Sequence, residues 1–180
     1  MAIIDEIIKF NNEFVEEKRY IPYISERLPK KKLAILSCMD TRLTHLLPAA
    51  LNLKNGEAKI ITNAGALVTH PFGSVMRSLL VAVYGMSVRD IMVIGHTDCG
   101  MENLDLQSLV KKMEQCGIFP DKVNICECNT DLHKWLRGFD NTNMSVTASV
   151  DMIKKHPLMP KDITVRGFVM DINTGGLSEV

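Results

Sequence analysis

Residues 33–42 read LAILSCMDTR, and residues 91–101 read IMVIGHTDCGM. Each stretch opens with a short run of mostly branched apolar residues, which is typical of a strand buried on both faces of a sheet. Metal-ligating side chains follow the runs: Cys38 after the first, and His96 and Cys99 after the second. Because parallel strands bring their carboxyl ends to one edge of a sheet, we expect the three side chains to meet there.

The rest of the chain alternates between strand-like and helix-like patterns. This alternation predicts parallel βαβ units and an α/β fold: a single domain with a mainly parallel central β-sheet flanked by helices. The predicted strands are residues 33–36, 58–61, 91–94 and 163–170, with a hairpin turn at 173–176. The predicted helices are residues 1–18, 42–47, 71–84, which we expect to end before Gly85, 104–115, and 131–155 with a break at 138–143.

Composition narrows the class of protein. The chain has 180 residues, 21 basic and 21 acidic side chains and five cysteines. One domain over residues 1–180 is expected, with residues 1–30 as an N-terminal helical arm and linker. The balanced charge predicts no nucleic-acid partner. The apolar runs are too short for a membrane span or a secretory signal, so we expect a soluble cytoplasmic protein whose thiols are reduced and bind metal.

The proposed ligands favour a catalytic metal. Cys38, His96 and Cys99 offer three good zinc ligands, and a site with three protein ligands keeps its fourth position for water. Zinc lowers the pKa of such a water to about 7, which creates a zinc-bound hydroxide at neutral pH. Asp40 and Arg42 follow Cys38, and an Arg fork can hold a carboxylate ionised and oriented. Such a dyad aims the hydroxide at a small neutral electrophile such as carbon dioxide.

Three motifs resemble the β-class carbonic anhydrases: residues 38–42 (CMDTR), 62–65 (TNAG) and 93–101 (VIGHTDCGM), with a similar tail at 165–175. The resemblance, to the compact prokaryotic branch, implies reversible hydration of carbon dioxide to bicarbonate and a proton. It implies one Zn²⁺ per chain on Cys38, His96 and Cys99, with Asp40 and Arg42 as the catalytic dyad. It also implies that Asp40 can replace water as fourth ligand at lower pH. The chain has Thr62 where many members have Arg.

The resemblance carries two further expectations. It places Asn63, Ala64, Gly65 and Gly100 around the substrate pocket. It also implies a homodimer or a higher homo-oligomer, with the first helix packing on the partner subunit.

Other functions stay open at this point. The same site would suit a hydrolase of carbon disulfide or carbonyl sulfide, or a non-catalytic zinc- or bicarbonate-binding protein. A Cys-based phosphatase or redox protein is a third interpretation and ranks below these. The spacing from Cys38 to Arg42 is too short for a phosphate-cradling loop, and no glycine-rich segment lies there. His70 is our candidate for a proton shuttle. Cys116, Cys126 and Cys128 are interpreted as incidental thiols.

Overall fold

A five-stranded sheet forms the centre of the described part of the chain, which comprises residues 2–119 and 135–180 of the computed structural model. The strand order is β2-β1-β3-β4-β5. The first four strands are parallel, and the short β5 runs antiparallel to β4. The strands are β1 (Leu33–Cys38), β2 (Ala58–Asn63), β3 (Asp90–His96), β4 (Thr164–Met170) and β5 (Leu177–Glu179). The predicted α/β fold, the strand positions and the final hairpin are confirmed.

Five helices of at least two turns lie in the described residues: α1 (Ile3–Glu16), α2 (Leu43–Ala50), α3 (Ser74–Met86), α4 (Leu106–Gln115) and α5 (Thr142–Lys155). Short 3₁₀ turns occupy Ile21–Tyr23 and Ala64–Ala66. The helix predicted over 131–155 is found from Thr142 onward, after the expected break, while residues 131–134 lie outside the described residues.

The predicted bounds of α3 are wrong at both ends. The helix begins at Ser74, not at Pro71, and it continues through Gly85 to Met86. A single glycine costs a helix at most about 1 kcal/mol, which the burial of Ala82 and Val83 on the same helix offsets. The helix ends instead at Ser87, which takes the left-handed conformation with φ 58°.

Both faces of the sheet are buried, as the apolar runs predicted. On one face Leu36 and Val93 belong to a cluster that includes Leu79 of α3 and Val150 of α5. On the other face Ile35, Ile94 and Met170 pack with Leu43 and Leu47 of α2. The parallel strands are thereby held from both sides, and their carboxyl ends form one fixed edge.

Helix α1 lies outside this core and has no buried residue. Six of its apolar side chains are more than half exposed: Ile3, Ile4, Ile7, Ile8, Phe10 and Val15. The predicted amphipathic helix is therefore present, with an apolar face that the described residues of the same chain leave uncovered. None of the helices in the described residues is both long and apolar enough to cross a membrane.

Candidate metal centre

The three predicted ligands meet at the carboxyl edge of the sheet. Cys38 is the last residue of β1 and His96 the last of β3, its neighbour in the sheet, while Cys99 lies in the loop after β3. Their ligand atoms all lie within 4.8 Å of one another, and all three residues are buried. The two sulfur atoms are 3.9 Å apart. Tertiary structure thus assembles a compact Cys-His-Cys group from two strand ends.

The imidazole of His96 is oriented for metal binding. Its Nδ1 lies 2.9 Å from the carbonyl oxygen of Thr97. Because that carbonyl can only accept, Nδ1 carries the proton and Nε2 presents a lone pair. Nε2 is buried and has no hydrogen-bond partner among the described residues. An orphaned acceptor beside two thiols fits a zinc ion, which prefers nitrogen and sulfur ligands.

The pKa values of the two thiols are shifted in opposite directions. The pKa of Cys38 is lowered, chiefly by a hydrogen bond from Cys99 and further by contacts with His96 and the N–H of Gly65. The pKa of Cys99 is raised, because its proton serves that hydrogen bond and because the thiol is buried. The pKa of His96 is raised, mainly through its contact with Cys38. The shared hydrogen bond therefore favours loss of one of the two thiol protons, and a metal that binds both sulfur atoms displaces the other.

Asp40 and Arg42 form the predicted pair beside this group. The Nε and Nη2 of Arg42 donate to Oδ1 and Oδ2 of Asp40 over 3.0 and 2.8 Å, and the Arg42 backbone N–H donates to Oδ1 over 2.9 Å. These bonds lower the pKa of Asp40 to about 2. Asp40 Oδ2 lies 3.9 Å from His96 Nε2. An ionised carboxylate is therefore held at the rim by Arg42, and ligation of a metal by Asp40 stays a prediction.

Arg42 has a second acidic partner, Asp98, which the sequence motifs did not predict. Its Nη1 donates to Oδ2 of Asp98 over 2.7 Å, and its Nη2 donates to the Asp98 carbonyl oxygen over 2.9 Å. The only indication of Asp98 in the sequence was its position between the candidate ligands His96 and Cys99. That position does not predict which residue Asp98 contacts.

The four residues predicted around the substrate pocket have different surroundings. The Gly65 backbone N–H donates to Cys38 Sγ over 3.4 Å, which places Gly65 at the ligand group. Asn63 holds its own loop by hydrogen bonds to both backbone groups of Leu67. Ala64 lies in the 3₁₀ turn between them. Gly100 follows Cys99, and a Cβ added there would have no neighbour within 4 Å.

A cleft of about 290 Å³ opens beside Cys38 and Asp40. The four predicted pocket residues do not line this cleft. Its other lining residues come from β1, α2 and β2 and the turn after β1: Ser37, Met39, Leu43, Thr44, Leu47, Pro48, Ile60 and Thr62. The alternation of β2 could have indicated Ile60 and Thr62, which share one face of that strand.

Two of the four remaining candidates, Cys116 and His70, lie in the described residues. Cys116 is an exposed free thiol. His70 accepts the backbone N–H of Phe72 on its Nδ1, and its role as a proton shuttle stays a prediction. Cys126 and Cys128 lie outside the described residues.

Comparison with known proteins gives a consistent result. A family model described as carbonic anhydrase matches residues 33–177. The Bacillus subtilis protein YtiB, provisionally named a carbonic anhydrase, is 48% identical over 98% of this chain and 95% of its own length. The carbon disulfide hydrolase of Acidithiobacillus thiooxidans is 26% identical over 94% of this chain and 87% of its own.

Among solved structures, β-carbonic anhydrase isoform I of Trichomonas vaginalis is similar over 99% of this chain and 97% of its own. The TM-score is 0.88 at 31% sequence identity. The family model, the sequence relatives and the similar structure all cover the segment that carries the Cys-His-Cys group and the Asp-Arg pair, and they indicate the same family. The chain therefore belongs to the β-class carbonic anhydrases, enzymes whose general reaction is the hydration of carbon dioxide.

Proposed function

We propose that this chain catalyses the zinc-dependent, reversible hydration of carbon dioxide to bicarbonate and a proton. Cys38, His96 and Cys99 would hold one zinc ion per chain. The observation that carries the proposal is the buried, unpartnered Nε2 of His96 within 4.8 Å of two sulfur ligands. When bound, zinc supplies the Lewis acidity that brings the pKa of a water molecule to about 7.

Asp40 is suited to orienting the attacking oxygen. With a pKa near 2 it is ionised at neutral pH and can only accept hydrogen bonds. An attacking oxygen whose hydrogen points at this carboxylate has its lone pair directed away from it, toward the substrate. The same low pKa means that Asp40 does not keep a proton at neutral pH. Asp40 therefore orients the nucleophile, and the released proton leaves by another route.

Arg42 keeps that carboxylate in place. Its guanidinium contacts both Asp40 oxygens, which fixes the carboxylate plane as well as its charge. The cleft beside Asp40 is lined mainly by apolar side chains with a few hydroxyls, which suits a small neutral molecule better than a charged one.

Hydrolysis of carbon disulfide or carbonyl sulfide is the second candidate. It is favoured by the similarity to the carbon disulfide hydrolase of Acidithiobacillus thiooxidans. Both reactions place a small linear molecule beside the same ligands, so the ligand geometry does not separate them. The higher identity to YtiB favours carbon dioxide.

We further propose a homodimer in which α1 packs on the partner subunit, because its apolar face is exposed in the single chain. We also propose a cytoplasmic location, which the chemistry of the site supports. Cys38 and Cys99 are free thiols 3.9 Å apart, and an oxidising compartment would favour their conversion to a disulfide, which would remove both sulfur ligands.

Stopped-flow hydration of carbon dioxide, with zinc content measured on the same samples, tests the proposal. We expect about one zinc per chain and fast hydration by the wild-type protein. Cys38→Ser should lose zinc and activity together. Asp40→Asn should keep zinc while its rate falls about 10- to 100-fold, because the oriented acceptor is lost.

Cys116→Ser is the matched control, because this thiol is exposed and lies outside the ligand group. It should retain both zinc and rate. Parallel assays with carbon disulfide and carbonyl sulfide decide between the candidates. Zinc-loaded protein that hydrolyses these gases but does not hydrate carbon dioxide would overturn the first proposal.

A further inference from the structure

The guanidinium of Arg42 is shared between two acidic residues on different loops. Asp40 lies on the same loop after β1, while Asp98 lies on the loop after β3. Three nitrogens of the group are used: Nε for Asp40, Nη1 for Asp98, and Nη2 for the Asp40 carboxylate and the Asp98 carbonyl oxygen. Arg42 therefore connects the loop that follows Cys38 to the loop that carries Cys99.

The backbone of Asp98 is held in an unusual conformation. Its φ is 55°, in the left-handed region that disfavours most residues but that Asp tolerates better than most. In this conformation its carboxylate and its carbonyl oxygen both lie within hydrogen-bond distance of Arg42. Together with the two hydrogen bonds to Asp40, these two acceptors hold the guanidinium plane through contacts on both loops.

We propose that Asp98 is a positioning residue for the reaction, a role that rests on the proposed function. Asp98 holds the Arg42 guanidinium in the orientation in which it donates hydrogen bonds to both oxygens of Asp40. The side chain of Arg42 is 45% exposed, so without a second anchor it has many solvated rotamers available. Asp98 thereby acts on the orientation of Asp40 through Arg42, with no contact to the substrate.

A plain surface ion pair is the alternative, since the Asp98 side chain is 80% exposed. Exposed ion pairs contribute little to stability. The two interpretations differ in what Asp98 changes. A surface pair affects neither turnover nor the order of Arg42, whereas a positioning residue affects both and does so only while Arg42 is present.

The experiment is a double-mutant cycle on the zinc-loaded protein: Asp98→Ala, Arg42→Ala and the double variant, with Asp98→Asn as the conservative change. Asp162→Ala is the matched control, because Asp162 forms a similarly exposed ion pair with Arg89 over 2.9 Å. Arg89 and Asp162 lie beside the amino ends of β3 and β4, at the opposite end of these strands from His96. The kcat, the KM and the zinc content are measured for carbon dioxide hydration. NMR of the ¹⁵N-labelled Arg42 guanidinium, identified by its loss in Arg42→Ala, reports rotation about its bonds.

We expect Asp98→Ala to lower kcat about two- to tenfold with KM and zinc content unchanged, because a misoriented group costs rate more than binding. Asp98→Asn keeps an acceptor oxygen, so its kcat should fall less than that of Asp98→Ala. The effect should vanish in the Arg42→Ala background, and Arg42 guanidinium rotation should be faster in Asp98→Ala than in wild type.

Wild-type kinetics and unchanged Arg42 signals in Asp98→Ala, as in Asp162→Ala, would overturn the proposal. Loss of zinc, or a rate loss that persists without Arg42, would also overturn it, because Asp98 would then act on the ligand loop itself. If wild-type protein hydrates no carbon dioxide, the proposed function fails, and the Arg42 signals alone decide whether Asp98 holds the guanidinium.

Discussion

Replacement of Gly65 by alanine tests how tightly the ligand group is built into the fold. Gly65 has φ +82°, and a side chain in this left-handed region costs about 1–2 kcal/mol. A Cβ added there would also lie 2.9 Å from Cε1 of Phe139, 3.2 Å from Cβ of Met101 and 3.3 Å from Cγ of Leu67. Overpacking of this kind costs about 1–3 kcal/mol. We therefore expect Gly65→Ala to lower the free energy of unfolding by about 2–5 kcal/mol.

The same substitution should weaken metal binding. The Gly65 N–H donates to Cys38 Sγ, so a backbone shift that relieves the crowding moves the donor away from the sulfur. Loss of a contact that orients a ligand typically costs about 10- to 100-fold in metal affinity. Zinc affinity, measured by competition with a chromophoric chelator, should fall in this range.

The change in the free energy of unfolding is measured by urea unfolding of metal-free protein, followed by far-ultraviolet circular dichroism at one chain concentration. Gly100→Ala is the control, because an added Cβ there meets nothing within 4 Å and its φ lies outside the left-handed region. We expect the free energy of unfolding of this control to lie within about 0.5 kcal/mol of the wild-type value. Equal stabilities of Gly65→Ala and Gly100→Ala would refute the reasoning from φ and close contacts.

Two further predictions concern the helical arm and the acidic member of the dyad. Ile7→Lys places a charge on the exposed apolar face of α1 and should convert a dimer to monomers in light scattering, whereas the charge reversal Lys9→Glu on the opposite face should not. The pKa of Asp40 is lowered from 3.8 to about 2, so its ionised form stabilises the fold above about pH 4, and this stabilisation is lost as the pH falls toward 2. In thermal unfolding of metal-free protein, the advantage of wild type over Asp40→Asn should therefore shrink between about pH 5 and pH 2.5; a difference independent of pH would contradict it.

The strand and helix pattern was predictable because it rests on local periodicity. The apolar runs ending at Cys38 and His96 are buried strands, and the amphipathic spacing of Ile3, Ile4 and Ile7 is a helix. The ends of helices that depend on the backbone conformation of one residue were harder to predict from the sequence. Helix α3 ends at Ser87 in a left-handed conformation, although Gly85 is the stronger stop signal, because the packing of the helix carries it past the glycine.

The partners of the loop residues were not predictable. Arg42 and Asp98 are far apart in sequence, and their contact exists because β1 and β3 pair in parallel and bring both following loops to one edge. The cleft lined by Ile60 and Thr62 likewise depends on the placement of α2 over β1 and β2. Three of the residues predicted from the family resemblance, Asn63, Ala64 and Gly65, lie at the end of β2 and in the turn after it. Asn63 holds this loop, and Gly65 contacts Cys38.

The sequence by itself determined the α/β fold class, the two strand ends that carry the candidate metal ligands and the identity of the Asp-Arg pair, because these follow from periodicity and from residue chemistry within a few positions. Only the tertiary structure decided that Cys38, His96 and Cys99 form one buried group with an unpartnered imidazole nitrogen. It also decided that Arg42 is held by a second carboxylate. The physical reason is that hydrogen bonds and burial depend on distances across the sheet, which pairing register and helix packing set and which no local pattern encodes.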